Sequence, residues 1–290
     1  MVRRALVGRA YPRIMRIDVA LVPAEAKRWT HTPTVCIVLD ELRASSTIVT
    51  LLQQGAEAVI PATSLAEARW LARAIGPSAV LAGEHHVVRA PGFDFGNSPA
   101  EVARADLTGR TVVLSTRNGT AVLRSIPAGA TVFVGCLLNA TAVARAALVR
   151  ARAEGAALGI VCAGRRGTFA VDDAIAAGAI LERVLAEAGV DDRDLATTDG
   201  RLDPRASGAS DDGATVPRAA IVLTDAARAS LQLWRSTPDV TAAFRASWSG
   251  HLLATHDLLD DVAASLPVDA SDIVPIVVPG SPRRIEALRP

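Results

Sequence analysis

The sequence predicts an α/β protein with helices on both faces of one sheet. Two patterns predict it. Short, fully apolar, β-branched runs recur along the chain, as in strands buried on both faces. Helical periodicities with capping signals lie between those runs. Half of the 290 residues are hydrophobic but only 3% are aromatic. The core must therefore be built from Ala, Val, Leu and Ile, which let helices pack closely on strands.

Strands are expected at Arg16–Leu21, Thr34–Leu39, Ala58–Pro61, Ala79–Ala82, Thr111–Leu114, Thr131–Val134, Leu158–Val161 and Ile273–Val278. Each ends in a turn or a polar cluster. The helix over Ser64–Ile75 opens with a capping box, Ser64 standing three residues before Glu67. Asn139 caps a helix over Asn139–Ala153. In Val171–Ala188 the residues Val171, Ile175, Ile180, Leu181, Val184 and Leu185 mark one apolar face. Arg218–Trp234 and Phe244–Leu266 read as mainly helical. Residues 14–290 are expected to form one domain, with 1–13 as a flexible lead-in. Residues 191–216, rich in Asp, Gly, Ser, Thr and Pro, are expected to form an exposed loop.

Composition excludes several function classes. A net charge of +1 offers no basic footprint for nucleic acid. No apolar run approaches the roughly 20 residues of a membrane span. Arg9 interrupts any signal-peptide core, so the expected address is cytoplasmic. Cys36, Cys136 and Cys162 lie in apolar runs and read as buried free thiols. A cysteine-based phosphatase loop would place Arg six residues after Cys162, where Thr168 stands. Homo-oligomer formation is left open.

Ligands of open α/β sheets bind beyond the carboxyl ends of the strands. Five of these ends are unusually polar. They carry Asp40-Glu41-Leu42-Arg43-Ala44-Ser45-Ser46-Thr47, Gly83-Glu84-His85-His86, Ser115-Thr116-Arg117-Asn118-Gly119-Thr120, Leu138-Asn139-Ala140 and Cys162-Ala163-Gly164-Arg165-Arg166-Gly167, the last followed by Asp172-Asp173. Each alone also fits a plain role: a helix cap for Ser45–Thr47, a turn for Asn118-Gly119, dipole partners for Asp172 and Asp173. His85 and His86, being adjacent, read as surface residues. The repetition at one expected edge is what points to a site.

These segments, with Pro91-Gly92-Phe93-Asp94-Phe95-Gly96-Asn97-Ser98-Pro99, resemble the 2-phosphosulfolactate phosphatase family in order and spacing. Asp173, Ala177 and Gly178 fit its acidic stretch leading into a helix. Ser249-Gly250-His251-Leu252, Asp260-Asp261-Val262 and Asp272-Ile273-Val274-Pro275 look like its C-terminal motif. The resemblance spans roughly residues 15 to 278. It implies a three-layer α/β/α sandwich with a mixed, largely parallel sheet. It also implies Mg²⁺-dependent hydrolysis of 2-phospho-3-sulfolactate, a step of coenzyme M synthesis. Two departures are His85 and His86 after Gly-Glu, where basic residues are frequent, and Arg117 in place of a small hydroxyl residue.

A small acidic phosphorylated substrate then sets the expected roles. Asp40, Arg43, Glu84 and Asn118 are the catalytic candidates. Asp40, Glu84, Asp172 and Asp173 are the Mg²⁺ candidates, since this ion keeps several waters and needs one or two carboxylates. Ser45, Ser46 and Thr47 would hold phosphate oxygens. Asn97, Thr116, Gly119, Thr120 and Asn139 would orient the substrate, and Arg43 would clamp an acidic group. Water held by the metal is the expected nucleophile and Asp40 the alternative. A haloacid-dehalogenase site would need Asp where Leu42 stands. The rival readings are the same chemistry on another phosphorylated acid, and a non-catalytic anion- or metabolite-binding protein on this scaffold.

Overall fold

The computed structural model describes residues 15–27, 29, 34–116, 122–123, 125–126, 129–191, 195–197 and 221–288. Among them, strand β2 (Thr34–Leu39) shows why the sheet forms. Side chains alternate across a strand. Val35, Ile37 and Leu39 enter one core, and Cys36 and Val38 enter another on the opposite face. Both faces are therefore apolar, and both must be covered.

The other strands are β1 (Met15–Ala20), β3 (Ala58–Ala62), β4 (Ala79–His85), β5 (Val88–Arg89), β6 (Thr111–Ser115), β7 (Thr131–Val134), β8 (Ala157–Cys162), β9 (Ala196–Thr197), β10 (Ile221–Leu223), β11 (Pro275–Val278) and β12 (Arg284–Ala287). They form one sheet in the order β5-β4-β6-β3-β12-β11-β7-β2-β8-β1-β10-β9. Strands β4, β6 and β3 pair in parallel, and so do the six strands from β7 to β9. The β11–β12 hairpin joins the two sets through antiparallel pairings on both flanks. Three reversals in succession leave the two parallel sets running in opposite senses. The sheet is mixed and largely parallel, as expected.

The helices are α1 (Pro23–Ala26), α2 (Ser46–Gln53), α3 (Leu65–Ile75), α4 (Pro99–Val102), α5 (Ala140–Glu154), α6 (Val171–Ala188), α7 (Asp225–Arg235), α8 (Val240–Ala246), α9 (Trp248–Ala254) and α10 (Leu259–Ser265). One core joins the sheet to α5, α6 and α7 through Val143, Ala147, Ile175, Ile180, Leu181 and Leu231. The other joins the opposite face to α2 through Ile48, Leu51 and Leu52. These are the three layers of an α/β/α sandwich. Ser64 accepts the Glu67 N–H at 3.1 Å and starts α3, as its capping box predicts. All three cysteines are buried and free. Burial pushes the Cys36 thiol up to about 12.

Two expectations need correction. Ile221–Leu223, read as part of a helix, is a strand. Three aliphatic residues cannot distinguish the periods, and the helix starts only after Thr224, whose hydroxyl accepts from Ala227 N–H. The Phe244–Leu266 stretch is three short helices, broken first at Ser247, which caps α9 through Gly250 N–H at 3.0 Å. Of the 191–216 segment only Asp191 and residues 195–197 are described, and β9 lies there at the edge of the sheet. The lead-in 1–13 lies outside the described residues. No helix among the described residues is long and apolar enough to cross a membrane.

Gly178 carries the contact between α6 and α7. A Cβ there would lie 2.0 Å from the Ser230 carbonyl oxygen. Gly178→Ala is therefore expected to cost about 2 kcal/mol or more through overpacking. Thermal melting should register a drop of several degrees; an unchanged melting temperature would contradict this helix packing.

Candidate active site

Strand β2 ends in a wide turn. Ser45 N–H donates to Asp40 O at 2.9 Å, and Asp40 N–H donates to Ser45 Oγ at 2.9 Å. Helix α2 then begins at Ser46, whose hydroxyl donates to Glu41 O at 3.0 Å. The turn is sealed from below by carboxylates. Asp173, at the start of α6, accepts Glu41 N–H at 2.9 Å and Gly164 N–H at 2.8 Å. It thereby ties together the exits of the adjacent strands β2 and β8. Gly164 has φ +59°, and a Cβ there would lie 2.4 Å from Thr168 O, so only glycine fits. Glu41, fully buried, accepts Leu137 N–H at 3.1 Å and ties in the exit of β7.

Arg43 reaches the other half of the sheet. Its Nη1 donates to Asp261 at 2.9 Å. Its Nη2 donates to Glu84 at 2.9 Å and to Val87 O at 2.7 Å. Asp261, in α10, also accepts the Ser98 hydroxyl and Ala100 N–H. Arg43 and Asp261 are 4% and 1% exposed, so this is a dry network rather than a surface pair. A local Asp40–Arg43 ion pair does not form. The same junction encloses an apolar cleft lined by Leu39, Asp40, Ser45, Pro61, Leu114 and Thr116. Exits of β2, β3 and β6 thus meet here, though not along one shared parallel edge.

Two carboxylates lack a committed cation. Burial, then the charges of Glu84 and Asp172, push Asp40 up to about 7. Burial pushes Asp172 up to about 6, opposed first by its own backbone N–H. Glu41 and Asp173 are also raised well above the usual carboxylate range, chiefly by burial. Their backbone donors nevertheless commit them to holding the turns. Among the described residues no three His, Cys, Asp or Glu side chains converge into a ready metal cage.

The predicted residues thus divide. Asp40 and Asp172 are buried, and the charge of Asp172 helps to raise the Asp40 carboxyl. Glu84 is held by Arg43, and Asp173 by two backbone N–H groups. Ser45 and Ser46 are committed to the turn, whereas Thr47 Oγ1 and Asn97 Oδ1 are buried without a partner. Buried polar atoms are nearly always satisfied, so these two are apt for a ligand. Asn139 has a full structural role: its Oδ1 accepts Cys136 N–H at 3.0 Å, and its Nδ2 donates to Val134 O and Ile273 O at 3.2 and 2.9 Å. Thr116 is buried at the cleft. Asn118, Gly119 and Thr120 lie outside the described residues. Sequence reasoning gave no role to Glu41, Ser98 or Asp261. All three stand in the quoted motifs, but only the fold brings Asp261 to Arg43.

Two outcomes follow for stability. A raised carboxyl pKa means that the folded protein holds a proton which the unfolded chain releases. For Asp40 that window runs from 3.8 to about 7. The stability is present below pH 3.8 and is lost as pH rises through about 7. In chelator, melting temperature should fall from pH 5 to pH 8. At pH 8 Asp40→Asn and Asp172→Asn should each melt above wild type; lower melting in both would contradict an uncompensated charge. Arg43→Ala should do the reverse. It strands Asp261 and Glu84 without a cation, a loss of about 3–5 kcal/mol, so denaturant titration should show a clearly earlier midpoint.

The family profile described as 2-phosphosulpholactate phosphatase matches residues 20–280. A protein of Deinococcus radiodurans named probable 2-phosphosulfolactate phosphatase is 37% identical over 276 residues, which are 95% of this chain and 98% of that one. Proteins with the same name from Caldanaerobacter subterraneus subsp. tengcongensis and Carboxydothermus hydrogenoformans are 40% and 42% identical, over 51% and 45% of this chain and 60% and 52% of theirs. With a profile covering most of its length and a relative aligned nearly end to end, the chain belongs to the 2-phosphosulpholactate phosphatase family.

Proposed function

We propose that this protein hydrolyses 2-phospho-3-sulfolactate, or a closely similar acidic phosphate monoester, with Mg²⁺ bound at Asp40 and Asp172. The observation that carries the reading is this pair of buried carboxylates at the mouth of β2. Held in a dry site without a committed cation, they repel each other and favour a divalent ion. Two such oxygen donors suit Mg²⁺, which retains waters for its remaining positions. When bound, the ion supplies charge neutralisation at the phosphate and makes a nearby water more acidic.

The chain's own residues do the rest. Thr47 Oγ1 offers a hydroxyl donor to a phosphate oxygen, and Asn97 Oδ1 offers an acceptor to a water or to the hydroxyl of the released hydroxy acid. Asp40 would hold the ion through one carboxylate oxygen, and its other oxygen can accept a proton from attacking water. Arg43 keeps Glu84 and Asp261 in place; its ion pairs support a positioning role in place of the expected clamp. The reading extends to a cytoplasmic setting and a place in coenzyme M synthesis.

Phosphate release from 2-phospho-3-sulfolactate should require Mg²⁺ and stop in chelator. Asp40→Asn should lower turnover roughly a hundredfold at saturating substrate while remaining folded. Full activity after exhaustive chelation would overturn the metal assignment, and substrate binding without release would favour a non-catalytic binding protein.

A further inference from the structure

Arg165 differs from the cations already placed. Its backbone is clamped on both sides: its N–H donates to Thr168 O at 2.8 Å, and Thr168 N–H and hydroxyl donate back to Arg165 O at 2.9 and 2.6 Å. The two residues between, Arg166 and Gly167, have φ of 50° and 81°, the geometry of a tight hairpin turn. The guanidinium carbon lies 4.2 Å from the centroid of the Trp248 ring, an attractive cation–π distance.

Such stacking engages only the flat face of the group. The in-plane N–H donors stay available for an oxyanion. No carboxylate pairs with Arg165 among the described residues. Arg43, by contrast, has both terminal nitrogens committed. Trp248 opens helix α9, directly after the Ser247 cap, whose hydroxyl donates to Phe244 O at 2.8 Å and accepts Gly250 N–H at 3.0 Å. Gly164, next to Arg165, bonds Asp173. The stacked guanidinium therefore stands on the loop that leaves β8, which this bond ties to the start of α6, where Asp172 also lies. A substrate with three acidic groups needs a cation beyond the one that neutralises its phosphate.

We propose that Arg165, held flat on Trp248, is the specificity-determining residue that takes the substrate's sulfonate in a two-pronged hydrogen bond. The proposal builds on the phosphatase reading, so its test needs a readout independent of turnover. Phosphate release would be measured for wild type, Arg165→Ala and Arg165→Lys on 2-phospho-3-sulfolactate and on 2-phospholactate, which lacks the sulfonate. Binding of 3-sulfolactate itself would be followed by calorimetry, and melting temperature would confirm folding. In Arg165→Ala, the ratio of kcat/KM for the sulfonated over the plain substrate should fall roughly tenfold or more, chiefly through KM. The lysine variant, with a charge but no fork, should fall between. A ratio unchanged in the alanine variant overturns the proposal. If wild type releases no phosphate but binds 3-sulfolactate, and Arg165→Ala weakens that binding, the phosphatase reading falls and the role of Arg165 stands. If wild type neither hydrolyses nor binds the sulfonated compounds, both fall.

Discussion

A guanidinium without water must find its hydrogen bonds in the protein, and Arg43 finds them on two separate stretches of chain. Asp261 comes from a late helix, Glu84 from a strand of the other half-sheet, and Val87 O from the turn beyond it. Two parallel sets of strands, opposed in direction, are thereby held against one junction. A buried ion network gives little net stability compared with apolar packing, but breaking one member is costly. That asymmetry locks the geometry: the segments can hardly drift apart without stranding a charge.

Around this lock the carboxylates divide by what their oxygens touch. Glu41 and Asp173 are anchored by backbone N–H groups and fix the turns. Asp40 and Asp172 carry strain in the form of unneutralised charge. Sites that bind ions or transfer protons are commonly less stable than their surroundings for this reason. Rigid turns support strained carboxylates, which is the arrangement needed to present charge without letting it relax.

Much of the fold was legible in the sequence. Thr34–Leu39 and Thr131–Val134 are strands to the residue, because both faces are buried and their apolar runs are uninterrupted. Val171–Ala188 kept its limits as well. Ile221–Leu223 was misread because three aliphatic residues satisfy either period. Arg284–Ala287 was missed because only Ile285 on it is deeply buried. The polar strand ends located the junction, but sequence could not tell which groups would be committed. Asn139 looked like a ligand-facing amide, and its partners are three backbone groups, two just before it in the chain and one, Ile273 O, from a distant segment. Arg43 looked like a substrate clamp, since Asp261 lies 218 residues away along the chain.

The hairpin of β11 and β12 stands at the centre of the sheet although it comes from residues 275–287. Synthesis runs in the other direction of importance: both halves leave the ribosome before the piece that joins them. Until then β3 and β7 each present an unpaired edge, the kind that templates pairing with another chain. The nascent protein thus passes through a window in which its two halves exist without their seam. Completion of the sheet is a late, long-range event, and the cell's protection of those open edges becomes part of how this enzyme is made.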